Sequence, residues 1–105
     1  MATYEEIRDE VKKIDRGEVR TYGQVAKKVK TSPQAVGGAM RDAYAKEQPG
    51  KKSSTPWWRV LKKVNDRYAR ISPKAPPKTQ KKQRERLIDD GITFVSKDRV
   101  EYDAC

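Results

Sequence analysis

The sequence contains no histidine and a single cysteine, Cys105, as its last residue. The first absence removes the commonest general base and metal ligand. The second excludes an intrachain disulfide and any cysteine-based metal cluster. Apolar residues fill only 34% of the 105 positions. A chain this short buries a small fraction of its surface, which argues against a large enclosed active site. No apolar run approaches the ~20 residues of a membrane-spanning helix, and no secretory signal pattern opens the chain. The expectation is one compact, soluble, monomeric domain over residues 1–105. It should need no cofactor and no metal, and it should not bind a membrane. An intracellular location follows: cytoplasmic or nucleoid-associated in a prokaryote, nuclear in a eukaryote.

What the chain has in excess is positive charge. Twenty-five Lys and Arg oppose fifteen Asp and Glu, a net charge of +10. Thirteen of the basic residues lie between Lys51 and Arg86, against only Asp66 and Glu85, so that stretch carries +11. The other 69 residues sum to −1. Such a block is the electrostatic footprint of a protein that binds a polyanion, nucleic acid above all. Composition alone fits a solvated basic linker equally well. Trp57, Trp58, Val60, Val64, Tyr68 and Ile71 interrupt the block, and they argue for a folded surface.

Hydrophobic spacing predicts a helix over residues 3–15, with Thr3 and Glu6 forming a capping box and Ile7, Val11 and Ile14 facing inward. Gly17 suits the left-handed position after its end. A second short helix follows Thr21, with Val25, Ala26 and Val29 as its apolar side. A third follows Ser32, opens on Pro33 and runs to about Lys46. Two short helices joined by a tight turn after a longer first helix form a helix-turn-helix pattern. Residues 47–55 read as a loop. Residues 56–71, with Asn65-Asp66 at a turn, read as a β-hairpin or wing. The three prolines in 72–78 predict a non-helical segment. Residues 79–90 read as a basic helix anchored by Leu87 and Ile88 and stopped by Gly91. Residues 92–95 and 99–102 read as a small hairpin. The fold class is therefore mainly α with small β elements. It is a winged helix-turn-helix, a three-helix bundle with a wing and a C-terminal helix plus short hairpin.

Two features of this pattern carry chemistry. Gly37 and Gly38 sit inside the third helix, where each costs about 1 kcal/mol relative to Ala. Gln34, Gly37, Gly38 and Arg41 share one face, opposite Val36 and Met40. A smooth face flanked by an amide and a guanidinium suits close approach to a nucleic-acid backbone. Tight packing against another helix would explain the glycines equally. The string Pro56-Trp57-Trp58-Arg59-Val60 places two large aromatics side by side in a polar chain. If it is a strand, the two rings point to opposite sides. One is then buried, and the other lines a surface where a base can stack; the plain alternative is that both are core residues.

Three strings occur in order: Gly17-x-Val19-x-Thr21-Tyr22-Gly23-x-Val25-Ala26, Ala35-Val36-Gly37-Gly38-Ala39-Met40, and Pro56-Trp57-Trp58-Arg59-Val60. Together they resemble the C-terminal, DNA-binding domain of the O6-alkylguanine-DNA alkyltransferases, over roughly residues 3–95. That family's third motif reads P-C-H-R-V, and its Cys accepts the alkyl group. With Trp57 in the Cys position, the chain is most similar to the alkyltransferase-like proteins, which lack transferase activity.

The resemblance implies a helix-turn-helix docked in the minor groove of duplex DNA, with an alkylated guanine flipped into a pocket. Flipping costs a few kcal/mol, which stacking and pocket hydrogen bonds must offset. By position, the pocket would comprise Tyr22, Trp57, Val60, Ser72 and Lys74. Tyr22 would contact the phosphate of the rotated nucleotide, Trp57 would form a wall, Ser72 would close the loop, and Lys74 would supply a basic group beside the base. Thr21, Tyr22, Gln34, Ala35, Gly37, Gly38 and Arg41 would contact DNA. No residue would be catalytic, because Trp57 is no nucleophile and Trp58 replaces the family His. The implied role is lesion recognition and hand-over to nucleotide excision repair proteins. A winged-helix DNA-binding protein without lesion specificity is the alternative.

The chain departs from the family at several points. Gln34 stands where the family has the Arg that fills the gap left by the flipped base, with Arg41 or Lys30 as possible substitutes. The turn between the second and third helices is short. The family's Asn-Pro after the recognition helix gives way to the longer segment Asp42 to Thr55. Cys105, at the chain's last position, reads as an incidental thiol.

Overall fold

Capping chemistry starts the first three helices where the sequence places them. The computed structural model describes residues 2–104; Cys105, and with it any role for its thiol, lies outside the described residues. Helix α1 spans Tyr4–Val11, and Thr3 and Glu6 form the expected capping box. The helix ends earlier than the spacing of Ile14 suggests. The amides of Lys13 and Ile14 bond to carbonyls three residues back, at 3.1 and 3.0 Å, which tightens the last turn and ends the helix. Ile14 still enters the core from this turn. Gly17 follows with φ of +90°, a conformation glycine adopts without steric cost.

A two-residue strand, β1 (Arg20–Thr21), leads into α2 (Tyr22–Val29). Thr21 and Gln24 form a second capping box there. Helix α3 spans Pro33–Ala45, with Ser32 as N-cap, accepting from the Ala35 amide at 3.2 Å. Between α2 and α3 the chain turns at Lys30, whose φ of 58° makes it the one non-glycine residue with positive φ among those described. The three helices pack on one another through Ile7, Val11, Val25, Ala26, Val36, Ala39, Met40 and Ala43, all buried.

The basic stretch is folded, not a linker. Trp57–Arg59 form a single 3-10 turn, followed by β2 (Val60–Lys63), β3 (Tyr68–Arg70), α4 (Pro77–Asp89) and β4 (Arg99–Glu101). The four strands form one sheet in the order β1-β2-β3-β4. β1 runs parallel to β2, pairing Arg20 with Val60 and Thr21 with Leu61. The β2–β3 and β3–β4 pairs are antiparallel. The winged helix-turn-helix class therefore holds: four helices and a small sheet.

Four details of the sequence reading are corrected. The wing begins at Val60, because Trp57 and Trp58 belong to a 3-10 turn and not to a strand. Helix α4 starts at Pro77, inside the segment read as non-helical, since proline is tolerated in a first helical turn where its missing N–H has no partner to lose. Ile88 does not anchor α4: it is 52% exposed, whereas Gln83, Arg86 and Leu87 face inward. Residues 92–95 form no strand; β4 pairs with β3, and residues 95–99 only turn back, with the Val95 amide bonded to the Arg99 carbonyl at 2.9 Å.

Candidate nucleic-acid interface

The surface of α3 resolves the question of the two glycines, and it does so differently for each. A methyl group at Gly37 would meet only the Arg41 guanidinium, at 3.6 Å. A methyl group at Gly38 would collide with the Tyr4 hydroxyl and lie 3.2 Å from its ring carbon. Gly38 therefore serves helix packing against α1, and Gly37 leaves the outer surface open. Gln34 and Arg41 are exposed on that surface. Ala35 is half-buried against the core.

Tyr22, the first residue of α2, lies close enough to Arg41 to feel its charge. Burial pushes the Tyr22 phenol up, and the Arg41 guanidinium opposes part of the rise. The net upward shift keeps the phenol protonated at neutral pH, so it retains an O–H to donate to a phosphate oxygen. Thr21 is different. It is 2% exposed, and its hydroxyl accepts from the Gln24 amide at 3.1 Å. It orients the start of α2 and presents no surface group.

None of the five pocket residues lines either of the two larger clefts. Val60 is fully buried. Ser72 is half-buried and Lys74 exposed, on the turn between β3 and α4. Gln80 of α4 pins that turn, donating to the Ala75 carbonyl at 2.7 Å. Clefts of about 840 and 660 Å³ open elsewhere and are lined by other residues.

Both tryptophans are buried, each 4% exposed, which corrects the expectation that one would line the surface. A 3-10 turn does not alternate sides as a strand does, so both rings pack inward, edge to face at 6.0 Å and 88°. Trp57 is nevertheless close to the glycine-bearing helix. Its ring lies 4.7 Å from that of Tyr44, near the end of α3. The residues that cover it, Tyr44, Glu47 and Arg86, also line the larger cleft. Trp57 thus sits one layer beneath that cleft.

Buried indoles need acceptors for their N–H groups, and each finds a carboxylate. Trp57 Nε1 donates to Glu47 Oε2 at 2.7 Å, and Trp58 Nε1 donates to Asp90 Oδ2 at 2.9 Å. Each carboxylate also pairs with an arginine. Arg86 Nη2 donates to Glu47 Oε1 at 2.7 Å, and Arg59 Nε donates to Asp90 Oδ2 at 2.7 Å. The Arg86 guanidinium lies 5.4 Å from the Trp57 ring centre and 5.0 Å from that of Trp58, in cation–π range of both. Burial pushes the Glu47 carboxyl up, but hydrogen bonds from Arg86, Trp57 and the Ser53 amide outweigh it and hold the group below its ordinary value. At Asp90 burial is likewise outweighed, by hydrogen bonds from Arg59 and Trp58 and by the charges of Arg59 and Lys52.

No sequence motif spells out this network. Its signal is the pair of tryptophans itself: two indole N–H groups removed from water require two acceptors, and acidic residues are scarce nearby.

The chain is similar to known proteins in sequence and in fold. A family model described as 6-O-methylguanine DNA methyltransferase, DNA binding domain, matches residues 2–91. A methylated-DNA–protein-cysteine methyltransferase of Pyrococcus sp. (strain NA2) is 71% identical over 31 residues. That alignment covers 30% of this chain and 18% of the relative's length. The crystal structure of S. pombe Atl1 in complex with damaged DNA containing O6-carboxymethylguanine superposes with a TM-score of 0.68 at 25% identity, covering 98% of this chain and 93% of that one. A second structure, S. pombe ATL in complex with DNA, gives a TM-score of 0.67 at 25% identity, covering 99% and 94%. From the first helix to the end of α4, the chain belongs to the DNA-binding-domain family of the 6-O-methylguanine DNA methyltransferases.

Proposed function

We propose that this protein is a non-enzymatic sensor of O6-alkylguanine in duplex DNA. Helix α3 docks in the minor groove through Gln34, Gly37 and Arg41. The damaged base rotates out beside Tyr22, and the bound protein, a monomer, marks the site for nucleotide excision repair. The carrying observation is the pair of indoles at positions 57 and 58. On this reading they stand where the family's P-C-H-R-V motif has its thiol and imidazole. Neither indole is a nucleophile or a base, and both N–H groups are committed to Glu47 and Asp90. Alkyl transfer requires a thiolate and a group to activate it. The fold likeness to S. pombe Atl1 bound to DNA carrying O6-carboxymethylguanine supports lesion binding.

Burial of Trp57 and Val60 means that base insertion beside Tyr22 requires movement of the side chains packed over them. A competition assay tests the reading. A duplex with one O6-methylguanine should displace labelled probe at lower concentration than its unmodified twin, and Tyr22→Ala should narrow the difference. Equal affinities at matched salt overturn lesion recognition.

A second reading has its own support. Gln34 is short and uncharged, and Tyr22 lines neither of the two larger clefts. A winged-helix DNA-binding protein without lesion preference fits both facts. It predicts strong salt dependence and no discrimination in the same assay.

A further inference from the structure

The loop after α3 and the outer side of α4 enclose the cleft of about 840 Å³, to which lesion recognition gives no role. Tyr44 and Ala45 border it at the end of α3, and Lys51, Lys52, Lys78 and Lys82 line its walls. On an α-helix, positions i, i+3, i+7 and i+11 fall in one row. Gln34, Gly37, Arg41 and Ala45 therefore form a single stripe, and Gln34, Arg41 and Ala45 are exposed. At 1.5 Å per residue, the stripe is about 16 Å long. That is about five nucleotide steps of duplex, at 3.4 Å each. A duplex lying along the stripe runs directly into the cleft.

The charges there are not spent on the fold. Arg86 is tied to Glu47 and Lys52 to Asp89. Among the described residues, Lys51, Lys78 and Lys82 form no ion pair, and Glu85 is the one carboxylate of the lining without a partner. Lys78, Lys81 and Lys82 also occupy the first two turns of α4, with no acidic residue in the first turn. The helix macrodipole disfavours cations at that end. Placement for stability alone would put carboxylates there, whereas an anionic partner favours lysines.

We propose that this cleft is a phosphate track, in which Lys51, Lys78 and Lys82 hold the backbone of the same duplex just beyond the α3 contact. This rests on α3 being the helix that docks on DNA. The occupant is a DNA strand and not an acidic protein, because the track continues the exposed stripe of α3 and reaches it without a break.

The test measures binding by fluorescence anisotropy across a salt series. It uses a hairpin duplex no longer than the α3 stripe and a duplex twice that length, both unmodified. For the unaltered protein, the slope of log K against log salt should be steeper on the long duplex. In Lys51→Gln/Lys78→Gln/Lys82→Gln the slope on the long duplex should flatten by about 2 to 3, at about 0.9 for each phosphate no longer neutralised, and the short duplex should be unaffected. The corresponding triple Arg variant should restore the slope. An unchanged slope on the long duplex overturns the track. Equal flattening on both duplexes also overturns it, because it reports only a weaker overall field. The parent reading fails separately: Arg41→Gln would leave both slopes unchanged if α3 does not dock, and O6-methylguanine would be ignored if the lesion is not read.

Discussion

Glu47 and Arg86 stand 39 residues apart in sequence and meet in a two-bond ion pair over the Trp57 ring, with the carboxylate and guanidinium side chains only 7% and 10% exposed. The pair joins the loop after α3 to α4 and closes the tryptophan layer from outside. Removing one partner of a buried pair strands the other charge, at a cost of about 3–5 kcal/mol, whereas replacing both can be nearly neutral. Glu47→Gln should therefore destabilise the fold by that order in urea denaturation. Glu47→Gln/Arg86→Met should recover most of the loss. A single-variant cost under about 1 kcal/mol, the level of an exposed pair, would show that water already reaches the site.

Acid should loosen the same layer. Glu47 and Asp90 have native values below their ordinary 4.5 and 3.8. A carboxylate depressed in the folded state adds stability above its unfolded value and loses it as pH falls through the native one. Stability should be level on this account above about pH 5 and decline below the ordinary carboxylate range. The fluorescence of Trp57 and Trp58 should report the decline, since both indoles donate to these carboxylates. Glu47→Gln should remove part of the slope. A flat denaturation midpoint from about pH 5 to about pH 3 would contradict the network.

The two glycines of α3 should separate stability from binding. Gly37→Ala gains helix propensity of up to about 1 kcal/mol, and its methyl group meets only Arg41 at ordinary contact distance. It should raise the melting temperature and weaken DNA binding, because the methyl stands on the docking stripe. Gly38→Ala should gain less than Gly37→Ala, because its methyl displaces the outer end of the Tyr4 ring, and Tyr4→Ala in the same chain should remove that difference. Unchanged DNA affinity in Gly37→Ala would mean that the duplex does not approach this face.

The helical half of the fold is legible because its signals are local. Thr3 with Glu6, Thr21 with Gln24 and Ser32 with Pro33 mark helix starts within four residues of sequence. The wing is legible in outline, but its first strand opens only at Val60. A tryptophan pair has the composition of a strand, and only tertiary packing turns it into a 3-10 turn. Helix α4 opens ahead of its expected start because the last proline of a run can occupy a first helical turn. The partner of β4 is not legible, because strand pairing depends on long-range contact, and residues 92–95 are merely adjacent. At the site, the open face of Gln34, Gly37 and Arg41 is visible from helical spacing. The burial of both Trp57 and Trp58 is not, since their N–H groups rely on Glu47 and Asp90, which no motif marks.

Placing a thiol at position 57 should not by itself give alkyl transfer. Trp57→Cys would place a sulfur in a buried position, which raises a thiol pKa. Its neighbour Trp58 offers only an N–H donor, already held to Asp90 at 2.9 Å, so position 58 would not take the thiol proton. Incubation with DNA carrying labelled O6-methylguanine should leave this variant unlabelled after denaturing electrophoresis. Trp57→Cys/Trp58→His would put an imidazole beside Asp90, whose carboxylate can orient one ring nitrogen and leave the other to act as base. That variant should acquire slow, stoichiometric label. Losing two buried tryptophans costs several kcal/mol, about 3–5 for each large aromatic reduced to Ala, so circular dichroism must first show that it is folded. Label on the single variant as fast as on the double would mean that position 58 is not the barrier. On the proposed reading, the barrier to alkyl transfer would then lie at position 57 alone.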